Sequence, residues 1–295
     1  MENDLEEIKR ELTDIRKSLE KIEKRYQDEI PNLLQRRGYL CLRSNPKEGL
    51  ILPRPCDSDT EDVFYELMKR YSFRIFLRDV LKRKRAFEVK ELLQYCSEET
   101  VNNYITALLK AGIVEPHPSE GYRLCADRVT GFGDTLEWFV AKVFENEFYS
   151  PSSYGISISN TKSGGDFDVI SFVEGNFLYV EVKSSPPKHV DVKEISSFLD
   201  RVEELQPDFS IFFEDTELRL KDKIVPMFQD ELERRYGRED AAINSFPDRE
   251  DDWFQVGENL FIINSKPDII VSIGKTLKTF LKNKSPVRLR IKSTC

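Results

Sequence analysis

GGDFDVISFVEGNFLYVEVK, residues 164–183, is the stretch on which the chain turns. Phe167, Val169, Ile170, Phe172 and Val173 form one run of strand formers, and Phe177, Leu178, Tyr179, Val180 and Val182 form a second. Gly175-Asn176 between them tolerates the positive φ of a tight two-residue turn. That turn pairs Glu174 with Phe177 and sets Asp168 opposite Lys183. Opposed residues of an antiparallel pair point to one face, as do residues two apart on a strand. Asp168, Glu181 and Lys183 are therefore expected on a single face, with Tyr179 and Phe177 beyond them. A three-residue turn would send Asp168 to the other side, and Asp166 shares its parity if the strand bends early. Two converging carboxylates suit Mg²⁺ or Mn²⁺, hard cations that prefer oxygen ligands. A metal so held polarises a phosphoryl oxygen and acidifies bound water, and Lys183 is placed to steady the developing charge. The alternative is a strand with charged residues on a solvated face.

The surroundings have a definite order. Residues 132–148 carry Leu136, Phe139, Val140, Val143 and Phe144 at helical spacing, and 154–159 alternate as a short strand. After the hairpin, residues 190–205 read as a second amphipathic helix with Ile195, Phe198, Leu199, Val202 and Leu205 inward, and 209–213 as a hydrophobic strand. This helix, three-strand, helix, strand order, with Asp168 followed by Glu181-x-Lys183, resembles the PD-(D/E)xK nuclease superfamily, the restriction-endonuclease-like fold. The resemblance covers roughly residues 130–215. It implies that Asp168 and Glu181 bind the metal and that Lys183 acts on the attacking water or the transition-state charge. It also implies that Glu137, on the first helix, completes the metal site. Gly-Asp-Phe-Asp-Val departs from the family's literal Pro-Asp pair. His189, Ser184-Ser185 and Lys162-Ser163 lie at the expected mouth of the site.

Upstream, Leu5, Ile8, Leu12, Ile15, Leu19, Ile22 and Tyr26 repeat at alternating steps of three and four, an a/d coiled-coil seam with charged flanks that Pro31 is expected to end. So short a helix needs a partner: either a second copy, giving a homodimer able to cut both strands of a duplex, or the body of its own chain. Residues 38–56 read as a small hairpin. Residues 59–68, 72–85, 87–96 and 98–111 each show helical periodicity, with Asp59 to Asp62 as a capping cluster, and a hairpin follows at 117–124. Three helices and a wing resemble a winged helix-turn-helix with TVNNYITALLKAGIV as recognition helix. DNA contact would then fall on Thr100, Asn102 and Asn103, on Arg123 of the wing, and on the basic run Lys82-Arg83-Lys84-Arg85. Glu98 and Glu99 at the helix start oppose phosphate, so contact with a protein is the competing use.

The expected architecture is thus α/β, an αβββαβ restriction-endonuclease-like core with an N-terminal coiled-coil helix and an α+β winged-helix domain. The segments are residues 1–30 (coiled coil), 31–58 (linker), 59–126 (winged helix) and 127–295 (nuclease-like). At 295 residues and 39% hydrophobic the chain has room for real cores. No run approaches the roughly twenty apolar residues of a membrane span. The five scattered cysteines lack ligand spacing, which argues for reduced thiols in the cytoplasm. A net charge of −8 opposes binding to a polyanion overall. Local charge counts, however: much acid sits in the first helix and in residues 239–252. Residues 275–292 hold Lys275, Lys278, Lys282, Lys284, Arg288, Arg290 and Lys292 without an acid, as a DNA clamp or a solubilising end. The function expected is metal-dependent, endonucleolytic hydrolysis of DNA, with a non-catalytic DNA-binding regulator as the alternative.

Overall fold

A computed structural model describes residues 2–283 and Lys284, apart from Asp28, Lys84, Ser119, Glu120, Asp127, 239–240 and 246–252, and side chains from residue 6 onward except Glu23, Tyr26 and Gln27. The chain opens with α1 (Glu2–Gln27) and α2 (Glu29–Arg36). Pro31 does not end the first helix as expected. It lies in the first turn of α2, where a missing N–H leaves no helical bond unmade. After β1 (Leu40–Arg43) come α3 (Ser58–Met68), α4 (Tyr71–Lys82) and α5 (Glu98–Lys110), then the hairpin β2 (Val114–Pro116) and β3 (Tyr122–Leu124). Asp57, two residues before the expected capping cluster, caps α3 by accepting from the Thr60 N–H. The helix expected over 87–96 shrinks to one 3₁₀ turn, Val89–Leu92: Phe87 enters the core as a bridge partner of Tyr122 and Leu92 follows it, while Leu93 and Tyr95 face solvent. Nor do residues 38–56 form a hairpin: β1 pairs instead with a distant strand, and Leu50, Ile51 and Leu52 are buried without joining a sheet.

The rest of the chain runs α6 (Gly133–Phe148), β4 (Ser152–Ser159), β5 (Asp166–Val173), β6 (Asn176–Lys183), α7 (Val192–Leu205), β7 (Phe209–Glu214), α8 (Ile224–Tyr236), β8 (Ile243–Ser245), β9 (Phe254–Val256), β10 (Leu260–Asn264) and α9 (Ile269–Asn283). The short β8 falls inside the acidic stretch that includes residues 239–252. Apart from the β2–β3 hairpin, the described strands form a mixed sheet in the order β1-β4-β5-β6-β7-β10-β9-β8, with β6, β7 and β10 mutually parallel. Strands buried on both faces need unbroken apolar runs, and FSIFFE of β7 and LFIIN of β10 are buried throughout.

Each face of the sheet has its own core. On one, α6 and α9 pack against Val169, Leu178, Val180, Ile211 and Ile263, and the cluster runs on without a break into α3, α4 and α5. On the other, α7, α8 and α2 cover Ile170, Phe177, Tyr179 and Phe212. The α3–α6 contact is aromatic, with Phe64 against Trp138 and Tyr65 against Phe139, each pair of rings 5.6 Å apart. A buried ion cluster ties α4 to the sheet. Arg74 reaches Asp215, just past β7, at 2.8 Å, and Arg78 reaches the same carboxylate at 2.5 Å. Ser265 donates to Asp215 at 2.6 Å. Burial would raise the Asp215 pKa, yet Arg74 and Arg78 outweigh it and hold the carboxyl below its ordinary range.

Candidate active site

The β5–β6 hairpin turns at Glu174-Gly175, with φ of 46° and 78°, and its first pair is Val173 with Asn176. This is one residue before the Gly175-Asn176 turn expected. Asn176 acts as the flank, and its amide donates to the Val173 and Glu174 carbonyls at 3.0 and 2.9 Å. The register moves by two residues, so Asp168 comes level with Glu181 instead of Lys183. An even shift keeps every side chain on its face, and the three charged residues stay together.

Pairing of β5 with β6 continues to Val169–Val180 and stops. Beyond that rung β5 stays with β4 and β6 with β7, so the two strands part like a fork. Asp168 sits in the opening, and its carboxylate accepts the Val182 N–H at 2.7 Å where a backbone carbonyl would otherwise serve. The alternation of side chains also slips here. Tyr154 and Ile156 are two apart yet enter opposite cores, and so do Val169 and Phe167. The rung between is Gly155, with φ of 53°, opposite Asp168. A Cβ at Gly155 would stand 2.8 Å from Pro46, so the backbone and its neighbour both require glycine.

This slip stations Asp168 between two acids from opposite sides of the sheet. Glu137, from α6, feels Asp168 as its strongest neighbouring charge, and Asp168 in turn feels Glu181. Burial, then Asp168, Asp134, Glu181 and Asp166, push the Glu137 carboxyl up to about 9. Burial and Glu181 push Asp168 up to about 8, against the pull of the Val182 N–H, Lys183 and Arg201. The charges bearing most on Glu137 are all acidic, and that surplus of oxygen donors is what a hard divalent cation neutralises. Among the described residues, no group of three His, Cys, Asp or Glu side chains is drawn together tightly enough to be a metal cage.

Glu181 explains why. It is buried and already matched: Arg201 donates to its two oxygens at 3.1 and 2.9 Å, Lys183 stands at 2.9 Å, and the Tyr179 hydroxyl also donates to it. Lys183 further reaches Glu194 at 3.2 Å, in the first turn of α7. Glu194 also closes the α7 capping box with Asp191. Burial would release the Lys183 proton, but Glu181, Asp168 and Glu194 outweigh it and raise the ammonium above its ordinary pKa. Lys183 is thus a fixed cation and not a base.

Arg201, Glu194 and Glu214 are site neighbours that sequence reasoning missed. Arg201 lies three residues after Phe198, a charge at the edge of an inward stripe, and its guanidinium passes close to Gly165, where a Cβ would stand 2.8 Å from it. The Glu194 signal was the Asp191-x-x-Glu194 box. Glu214 pairs in register with Lys183, is buried, and has neither carboxylate oxygen hydrogen-bonded. Burial, then Glu194, push it up to about 8 despite Lys223, Arg78 and Lys183. It ends a run of apolar residues, which gave no cue.

The remaining sequence-derived candidates are placed less favourably. Asp166 is exposed and paired with Arg43. Ser163 is drawn away from the site, its N–H donating to Glu204 at 2.9 Å, and the Lys162 N–H goes to the same carboxylate. His189 is exposed in a 3₁₀ turn, and Ser184 and Ser185 are half-buried after β6. On α5, Asn102 and Asn103 are exposed and Thr100 half-buried, opposite the face of Val101, Tyr104, Ile105 and Leu108 that enters the core. Arg123 on β3 is tied to Glu115 at 2.5 Å, Lys82 to Asp79 at 2.8 Å, and Arg83 lies 3.8 Å from Glu91. Arg85 is exposed. Lys84 lies outside the described residues, as do Arg288, Arg290 and Lys292.

No protein-family model and no curated protein matches the chain. Among solved structures it is similar to protein VC1899 from Vibrio cholerae, at 15% identity and TM-score 0.45 over 76% of this chain and 56% of that one. It is also similar to Can2 from Sulfobacillus thermosulfidooxidans, solved in complex with cyclic tetra-adenylate, at 19% identity and TM-score 0.36 over 60% of this chain and 48% of that one. The chain spans about half the length of these structures. Likenesses of this degree carry no argument about chemistry, which rests on the side chains themselves. No helix among the described residues is long and apolar enough to cross a membrane.

Proposed function

We propose that the protein is a metal-dependent nuclease of the PD-(D/E)xK kind that hydrolyses DNA phosphodiester bonds endonucleolytically. The observation that carries this reading is the fork between β5 and β6, where Asp168, Glu181 and Lys183 meet beside Glu137. The order α6-β4-β5-β6-α7-β7 around it supports the same assignment. Asp168 and Glu137 would hold Mg²⁺ or Mn²⁺, with Glu181 as a further oxygen donor. The metal, when bound, supplies Lewis acidity toward a phosphoryl oxygen and an acidified water. Lys183, kept protonated by its three acidic neighbours, holds an anionic oxygen at the fork. Arg201 and Tyr179 fix the Glu181 carboxylate so that Lys183 stays aimed. The segment α3 to β3 serves, in this proposal, as a winged-helix module that presents DNA through Asn102, Asn103 and Arg85. Copies of the chain associate through α1.

The test is a pair of measurements. Mn²⁺ or Mg²⁺ should raise the melting temperature of the wild type but not of Asp168→Asn, and the wild type should cut DNA only with the metal present. A metal-independent melting temperature together with no cutting would remove the proposal. One observation favours the second reading, a non-catalytic DNA-binding regulator: the charge of Glu181 is already balanced by Lys183 and Arg201. DNA binding without metal-dependent stabilisation would select it.

A further inference from the structure

The first helix carries an apolar stripe that the chain itself leaves uncovered. Ile8, Leu12, Ile15, Leu19 and Ile22 are each between 53% and 62% exposed. The body of the same chain therefore leaves most of this stripe open, with Ile22 at its end lining a cleft beside Trp138 and Lys142. Around them the helix is charged, with Lys9–Glu6, Arg16–Glu20 and Lys17–Asp14 pairs along its surface. Helices in proteins draw most of their stability from packing an apolar face, and here that face is open. The side chains of Leu5 and Tyr26, which extend the seam in sequence, lie outside those described.

Spacing fixes the heptad frame without ambiguity. An a residue precedes its d by three and follows the previous d by four, so Leu12 and Leu19 occupy a while Ile8, Ile15 and Ile22 occupy d. Packing at a and d differs with the number of strands. β-Branched residues at a with leucine at d suit two strands, whereas leucine at a with isoleucine at d favours three or four. All five described positions follow the second pattern. Flanking charges give the direction. In a parallel bundle a g residue faces the e residue of the next heptad on its neighbour, so Glu11 meets Arg16 with opposite charge. Reversed helices would turn e toward e, where Arg16 faces a cation in either register, Lys9 in one and a second Arg16 in the other, the latter register also pairing Lys9 with Glu23. The in-chain Arg16–Glu20 pair is solvent-exposed and worth little, so it does not compete.

We propose that the chain assembles through α1 as a parallel bundle of three or four copies, and not as the pair that a generic heptad seam implies. A parallel bundle gathers the bodies at one end. Weak nucleic-acid contacts of individual bodies then act together at high effective concentration.

Sedimentation equilibrium of the full chain tests this, run beside a variant in which a and d are exchanged: Leu12→Ile, Leu19→Ile, Ile8→Leu, Ile15→Leu and Ile22→Leu. The wild type should weigh three or four chains and the exchanged variant two, with the same melting of the body. A third protein, Leu12→Asp with Leu19→Asp, should be monomeric and retain the circular dichroism of the folded body. A monomeric or dimeric wild type would overturn the proposal. So would a mass unchanged by the exchange, or an assembly that survives the two aspartates. Cleavage is not measured in these experiments, so a failed nuclease assignment leaves their result standing.

Discussion

Glu214 closes β7 beside Lys183 with no hydrogen bond to either carboxylate oxygen, an arrangement that favours its neutral form. Its carboxyl is pushed up from 4.5 to about 8, chiefly by burial. A carboxyl raised in the folded state contributes stability that is complete below its unfolded pKa and is lost as the pH climbs through its folded one. The decline therefore falls between pH of about 4.5 and about 8. Glu214→Gln keeps the shape and stays neutral, so it should melt with the wild type at pH 5 and well above it at pH 8.5. The difference should be on the order of a few kcal/mol, read from denaturant midpoints. Equal midpoints at both values would mean that Glu214 is ionised and solvated. At Glu181 the balance is different. Glu181→Gln leaves Arg201 and Lys183 short of a counter-charge, and breaking a buried pair costs about 3–5 kcal/mol, so loss of activity in that variant would be confounded by loss of fold. Lys183→Ala leaves Glu181 still held by Arg201 and is the cleaner substitution.

Among the elements, the β5–β6 hairpin shows how far local sequence reaches. Its existence, its two-residue turn and the gathering of Asp168, Glu181 and Lys183 at one place were legible from alternation and from one glycine. The register was not, because Gly175 fits either the first or the second place of a tight turn. The outcome depends on Asn176 reaching back to two carbonyls and on Glu174 accepting a left-handed φ of 46°. A non-glycine residue there carries strain of about 1 kcal/mol. Glu174→Asn should relieve part of it, raising stability by about 0.5–1 kcal/mol in urea unfolding; a loss would show that Glu174 makes a contact worth more than the strain. The slip at Gly155 and Asp168 left no pattern in the sequence, since it depends on Pro46, which approaches from 109 residues earlier. Arg201 was hidden for a related reason: a charge at a stripe's edge is usually solvated, and the buried Glu181 that holds it inward lies on a different element. At α4, Arg74→Ala strips Asp215 of its main buried partner and should lower stability by about 3–5 kcal/mol, less to the extent that Arg78 compensates. Thermal unfolding beside Arg78→Ala separates the two.

Across the whole molecule, one core runs from α3 through α6 to the sheet, and the Arg74–Asp215 cluster joins α4 to the residue directly after Glu214. The Asp215 N–H donates to the Lys183 carbonyl at 2.8 Å, so α4 is linked through two bonds to the candidate catalytic lysine. Boundaries drawn from composition do not reveal such links, because both arginines read as surface charge until their buried partner is seen. The acidic total of −8 remains the chief physical objection to a DNA substrate, and on the α4–β3 face Arg123 and Lys82 are already balanced by Glu115 and Asp79. Binding to DNA should therefore be weak and steeply salt-dependent. The most direct measurement is cleavage of linear, nicked, forked and four-way-junction DNA with Mn²⁺, comparing wild type with folded Lys183→Ala. The wild type should cut at least one substrate only with the metal present, and the variant should cut it about a hundredfold or more slowly (of the order expected when one transition-state contact is lost). Equal cutting by the two proteins, or none by the wild type, would contradict the nuclease assignment.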